Sequence, residues 1–128
     1  MTTELLILAA AATLCLALPL VYMALYAKQV GMPVINGNRE DAPARKGAAG
    51  RGLRAHHNLI ENLVPFAIAV LAARAVGVSN SVTLIGAWLF LGGRLVHAVS
   101  YIAGVTGIRT LAYMTGVVGT FLILSQLL

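Results

Sequence analysis

Residues 54–66 read Arg54-Ala55-His56-His57-Asn58-Leu59-Ile60-Glu61-Asn62-Leu63-Val64-Pro65-Phe66, crowding ionisable and amide side chains into the mouth of an apolar run that continues to Ala73. A helix of about 3.6 residues per turn places Arg54, Asn58 and Glu61, at i, i+4 and i+7, on one stripe. Charged groups in such a segment face a polar interior or a partner, because an unpaired charge at the bilayer centre costs on the order of 3 kcal/mol. What the stripe faces is therefore the functional question, and the rest of the chain reads as its scaffold.

The surrounding composition makes this a membrane problem. Of 128 residues, 59% are hydrophobic and only 10% charged, with a mean hydropathy of +0.88, far from the balance of a soluble domain. The formal net charge of +5 does not point to nucleic acid. Five of its nine cations, Lys28, Arg39, Arg45, Lys46 and Arg51, gather in one loop instead of forming a basic stripe interleaved with aromatics. Under the positive-inside rule that loop is cytoplasmic. Cys15 has no partner for an intramolecular disulfide and reads as a small buried hydrophobe. Met1-Thr2-Thr3-Glu4 lacks the basic residue of a signal peptide, and the long run behind it reads as an uncleaved first helix.

The pattern predicts an all-α, integral membrane four-helix bundle in a single domain spanning 1–128. The helices are expected at about 5–26, 53–76, 82–102 and 108–128, each long enough for the roughly 20 residues that cross a bilayer. Pro19 and Pro65 mark sites of bending. Tyr22 and Tyr26 approach an interface. From Lys28 to Gly52, Pro33, Asn36-Gly37, Pro43, Gly47, Gly50 and Gly52 supply turn chemistry, so the segment reads as a polar connection. Gly77, Ser79 and Asn80 form a tight turn on the opposite side, which puts both termini on the non-cytoplasmic face. Ala112, Gly116 and Thr120, spaced four apart, permit close helix approach.

Polar groups recur at one depth. Arg94, His97 and Tyr101 follow at i, i+3 and i+7 near the end of the third helix, and Arg109 and Tyr113 lie one turn apart at the start of the fourth. Two readings of Glu61 stand side by side. It forms an interhelical ion pair with Arg54, Arg94 or Arg109, or it belongs to a cluster whose excess of arginine calls for an anionic ligand. A carboxylate-bearing ligand suits the guanidinium fork, Glu61 suits an ammonium group, and Asn58 serves either. His57 and Glu61 are four apart, but no further ligands at metal-binding spacing accompany them, and no metal is expected.

The segment Arg54–Phe66, with Gly93-Arg94-Leu95-Val96-His97-Ala98-Val99-Ser100-Tyr101 and Gly107-Ile108-Arg109-Thr110-Leu111-Ala112-Tyr113, resembles the signatures of the membrane-associated proteins in eicosanoid and glutathione metabolism. That family includes microsomal glutathione transferases and prostaglandin E synthase. The resemblance covers roughly Gly52 to Tyr113. It implies a homotrimer of four-helix protomers embedded in membrane lipids, with glutathione held at subunit interfaces open to the cytoplasm. It also implies a hydrophobic small-molecule substrate that arrives from the bilayer.

On the same basis Arg54, His57, Asn58, Glu61 and Arg94 belong to the glutathione-binding set, and His97, Tyr101 and Tyr113 line the pocket. Arg109 stabilises the thiolate, and Thr110 matches a serine position whose hydroxyl reaches sulfur or a substrate oxygen, or else serves as a helix-start hydroxyl. Two positions depart from the pattern. His57 stands where the resemblance implies a second arginine. Val30-Gly31-Met32-Pro33 lacks a basic residue expected in the first loop, leaving Lys28 or Arg51 as substitutes.

Three functions follow. The first is a glutathione-dependent transferase or peroxidase acting on hydrophobic electrophiles or lipid hydroperoxides. The second is a non-catalytic lipid-binding or scaffold member of the same family, which has no use for Arg109 and Thr110 beside Tyr113. The third, a transporter or channel subunit, needs a polar path across the whole membrane, which the non-cytoplasmic halves of the helices do not offer.

Overall fold

The computed structural model describes residues 1–128 and is built of helices alone: α1 (Thr3–Val30), α2 (Met32–Asn36), α3 (Gly47–Ala75), α4 (Ser81–Ala103) and α5 (Thr106–Ser125). All but α2 are long and apolar enough to cross a membrane. Their outward faces carry exposed Leu16, Leu20, Val64, Ile68, Leu71, Trp88, Val99, Leu111 and Phe121, which suit hydrocarbon and not water. Pro19 and Pro65 both fall inside unbroken helices.

The polar connection is shorter than its composition suggests. α1 continues to Val30, where Gly31 at φ 85° closes it, and Pro33 near the start of α2 initiates one further turn. α3 begins at Gly47, ahead of the expected Leu53, because Gly50 and Gly52 serve packing and not a turn. A Cβ on Gly50 would stand 2.7 Å from the Arg45 carbonyl oxygen, and one on Gly52 would stand 2.8 Å from Tyr22 Cβ. The remaining loop is strapped to α1. Tyr26 donates its hydroxyl to the Pro43 carbonyl at 2.5 Å, and Gln29 bonds both the Ala44 carbonyl and the Lys46 amide. Arg45 lies over the rings of Tyr22 and Tyr26, at 5.7 and 4.7 Å.

α1 packs against α3, and α3 and α4 face each other through a stacked Phe66–Phe90 pair, with ring centroids 3.7 Å apart. Ile7, Ala11, Ala69, Val70, Ala73, Ala87 and Ile123 complete this core. α4 and α5 make the closest approach. A Cβ on Gly119 would stand 2.4 Å from the Gly86 carbonyl oxygen, and one on Gly93 would stand 2.8 Å from the Ala112 carbonyl oxygen. Small residues thus let the two backbones touch, as the spacing of Ala112, Gly116 and Thr120 predicts, and all three are buried.

At the end of the bundle away from the strap, Asn80 caps α4 in a reciprocal capping box with Thr83. There the buried Glu4 carboxylate accepts hydrogen bonds from Ser79, at 2.9 Å, and Thr83, at 2.7 Å. These bonds tie the start of α1 to the turn between α3 and α4.

Candidate functional site

The polar groups of the strap end are sorted by helix geometry. On α4, the i, i+3, i+7 spacing turns Arg94, His97 and Tyr101 inward between α3 and α5. Arg94 is the most enclosed, 1% exposed. It donates through Nη1 to Asn58 Oδ1 at 2.8 Å and through Nη2 to the Tyr113 carbonyl at 3.2 Å, so one side chain joins three helices. Its Cζ lies over the rings of Phe90 and Tyr113, 5.5 and 5.1 Å from their centroids. The guanidinium fits because position 116 is glycine: a Cβ there would stand 2.8 Å from Nε and 2.9 Å from Nη2. Nε itself is buried without a hydrogen-bond partner.

His97, also buried, meets the edge of Tyr101, with centroids 5.4 Å apart and planes at 76°, and lies 6.2 Å from the Tyr113 ring. Arg109, half-buried on α5, stands over Tyr101 at 4.5 Å. The Arg109 guanidinium makes no hydrogen bond within the fold, so its N–H donors are available for an anion. Asn58, Arg94, His97, Tyr101, Arg109 and Tyr113 therefore form one continuous wall.

The other site residues named from sequence lie outside that wall. Arg54, His57 and Glu61 are exposed on an outward stripe of α3. The ion pair considered between Glu61 and Arg94 does not form in this chain, since both Nη atoms of Arg94 are engaged by Asn58 and the Tyr113 carbonyl. Thr110 is exposed and donates to the Thr106 carbonyl at 3.2 Å, within its own helix. It is not an N-cap, because α5 starts at Thr106 with Val105 in that position. Arg51, one of two substitutes for the missing loop cation, is occupied as well. It donates to the Ile102 carbonyl at 2.9 Å, at the C-terminal end of α4, where the helix dipole favours a cation.

The sequence reading did not see Gly116 as part of the site. Its signal was present only as one of three small residues on α5. The pairing of Arg94 with Asn58 was equally hidden, because it depends on the rotation of α3 against α4.

The arrangement offers cations of two kinds. Arg94 is fixed and internally bonded, whereas Arg109 is half-buried, stands over Tyr101 and makes no hydrogen bond, the better placed of the two to meet a ligand anion. No cluster of three His, Cys, Asp or Glu side chains gathers as a metal site.

In comparison with known proteins, the chain matches no individual curated protein and no solved structure. The profile of the MAPEG family, in contrast, matches residues 4–128. That match runs through all five helices and every residue of the wall. The family includes glutathione transferases and prostaglandin E synthases, and its proteins use glutathione. With four apolar helices and a family match along essentially its whole length, this multi-pass membrane protein belongs to the MAPEG family.

Proposed function

We propose that the chain is a membrane-bound, glutathione-dependent transferase or peroxidase that acts on hydrophobic electrophiles or lipid hydroperoxides. The observation that carries this reading is Arg109, stacked on Tyr101 beside His97 and Tyr113 with its donors uncommitted to the fold. A thiol with an ordinary pKa of about 8.5 is mostly protonated at neutral pH, and an adjacent guanidinium favours the anion, which is the nucleophile. Arg109 is assigned that role. Thr110, one residue on, is assigned a hydrogen bond to sulfur or to a substrate oxygen, which requires its hydroxyl to leave the Thr106 carbonyl.

The charged ends of a tripeptide thiol suit the remaining residues. Arg54 on the exposed stripe of α3 matches a carboxylate, Glu61 matches the ammonium group, and Asn58 borders both. In a homotrimer a neighbouring protomer covers this stripe, which continues into the apolar Val64, Ile68 and Leu71. The site then opens toward the cytoplasm at a subunit interface, and the electrophile approaches from the bilayer. One observation favours the lipid-binding scaffold as a second reading: Arg94, the best buried cation, is already satisfied within the chain except at Nε.

Turnover separates the two. Purified protein in detergent should conjugate glutathione to an activated nitroarene or reduce a fatty-acid hydroperoxide. Arg109→Ala should lower kcat/KM by about a hundredfold, on the scale of losing one donor to a developing charge. Absence of both activities from a well-folded oligomer favours the scaffold.

A further inference from the structure

The outward faces of α4 and α5 leave a groove along their seam. At the strap end a hollow of about 400 Å³ runs between Leu95, Val99 and Ala103 on α4 and Val105 and Ile108 at the start of α5. A second hollow of about 190 Å³ continues it toward Gly92 and Leu111. Val96 and Ile108 line both, so the two form one groove. Its deep end is open because position 92 is glycine, where even an added Cβ would meet nothing within 4 Å.

No side chain in the groove is free to hold water. The hydroxyls of Ser100 and Thr115 donate to carbonyls of their own helices, and the other side chains are apolar. Leu95, Val99 and Ile108 are exposed, so the groove opens toward the hydrocarbon around the bundle. From Gly92 to Ala103 the helix rises about 16 Å at 1.5 Å per residue, roughly half of a hydrocarbon core of about 30 Å. The groove therefore has the depth of one leaflet and the breadth of one seam, which suits a single acyl chain.

A cation stands at its interfacial end. Arg51, on α3, lies against Gly104, the residue between Ala103 and Val105 of the lining. A Cβ on Gly104 would stand 3.5 Å from Arg51 Nε and 3.6 Å from Cζ. Gly104 is held at φ 84°, a conformation that favours glycine, so no side chain screens the guanidinium there. The bond from Arg51 to the Ile102 carbonyl uses Nε alone and leaves both Nη groups for another acceptor. An apolar groove that ends at a guanidinium with free donors complements one chain bearing one carboxylate. A neutral lipid leaves the cation unanswered, and a phospholipid brings a second chain for which the groove has no place.

We propose that the α4–α5 groove binds a long-chain fatty acid, its chain lying along Val99, Val96 and Ile108 toward Gly92 and its carboxylate held by the Nη groups of Arg51. The site is separate from the wall, where Arg109 stands over Tyr101, and it needs no thiol.

Protein in phosphatidylcholine nanodiscs, at mildly alkaline pH and without thiol, is irradiated with a diazirine-bearing, alkyne-tagged hexadecanoic acid, and crosslinked peptides are mapped by mass spectrometry. The methyl ester of the same probe is run in parallel. The acid should crosslink between Gly92 and Thr115, be displaced by untagged hexadecanoic acid, and label about tenfold less in Arg51→Ala, the scale of losing one hydrogen-bonding partner of a charged group. The ester should label this stretch weakly and be indifferent to Arg51→Ala. Gly92→Leu, whose side chain has room in the groove itself, should reduce crosslinking at the deep end with the helical circular dichroism unchanged. Ester labelling as strong as the acid's, or crosslinks spread evenly over the outward faces, would mean ordinary lipid contact and overturn the proposal. Loss of labelling in Arg109→Ala but not in Arg51→Ala overturns the assignment of the carboxylate. A seam left unlabelled in the intact oligomer overturns it too, as a groove filled by a neighbouring protomer. The contrast between acid and ester on unaltered protein decides the matter even where Arg51→Ala fails to fold. Because no thiol takes part, failure here is distinct from failure of the glutathione reading.

Discussion

The guanidinium of Arg94 donates to the side-chain oxygen of Asn58 at 2.8 Å, which fixes α4 against α3 at the depth of the polar wall. Asn58→Ala leaves a fully enclosed cation with one acceptor fewer. Hydrogen bonds to charged groups contribute about 1.5–3 kcal/mol, so thermal unfolding in detergent should show a loss of that order. Asn58→Asp keeps an acceptor and should retain most of the stability. Equal losses in the two variants would show that the contact does not hold the helices.

Gly116 makes room for the same guanidinium, and adding one methyl there tests how tightly it is held. Gly116→Ala brings a Cβ to 2.8 Å from Nε, and overpacking of this kind costs about 1–3 kcal/mol. The control is Gly92→Ala, whose Cβ meets nothing within 4 Å and which should be neutral or stabilising by up to about 1 kcal/mol. Paired melting curves check the contrast.

The four membrane spans were legible because hydrocarbon demands long apolar runs and turn residues end them. The start of α3 was not. Gly47, Gly50 and Gly52 look like loop chemistry, yet the latter two are glycine so that Arg45 and Tyr22 can pack against the helix. The site was legible as a set of residue types but not as a surface. With about 100° per residue, Asn58 and Glu61 lie about 60° apart around the helix. A shared stripe can therefore be split: Asn58 reaches Arg94, while Arg54 and Glu61 stay exposed. Which edge turns inward is set by the Phe66–Phe90 stack and the small residues of α3, and those contacts exist only after packing. The approach of Cys15 Sγ on α1 to His56 Nε2 on α3, at 3.7 Å and 41 positions apart in sequence, was invisible for the same reason.

The opposite end of the bundle depends on Thr83, whose hydroxyl takes part in the α4 cap and also donates to the buried Glu4 carboxylate at 2.7 Å. Thr83→Val removes both interactions and should destabilise by about 1–3 kcal/mol. Thr83→Ser restores the hydroxyl and should recover most of that loss. Hydrogen exchange would localise the effect to the first turns of α1 and α4, without loosening the Arg94 cluster.

The strap between α2 and α3 hangs on Tyr26, which donates to the Pro43 carbonyl while its ring carries Arg45. Tyr26→Phe keeps the ring and removes the hydrogen bond. Tryptic cleavage at Arg39, Arg45 and Lys46 should then accelerate several-fold, because proteolysis follows local opening. An unchanged cleavage rate would show that stacking alone holds the strap.

The central claim, that Arg109 stabilises a bound thiolate, is tested most directly by ultraviolet difference spectroscopy during titration with glutathione at neutral pH. The account predicts a saturable thiolate absorbance in the intact protein that is lost in Arg109→Ala while the helical circular dichroism is unchanged. Saturable glutathione binding with no thiolate signal, or a signal that survives Arg109→Ala, would contradict it.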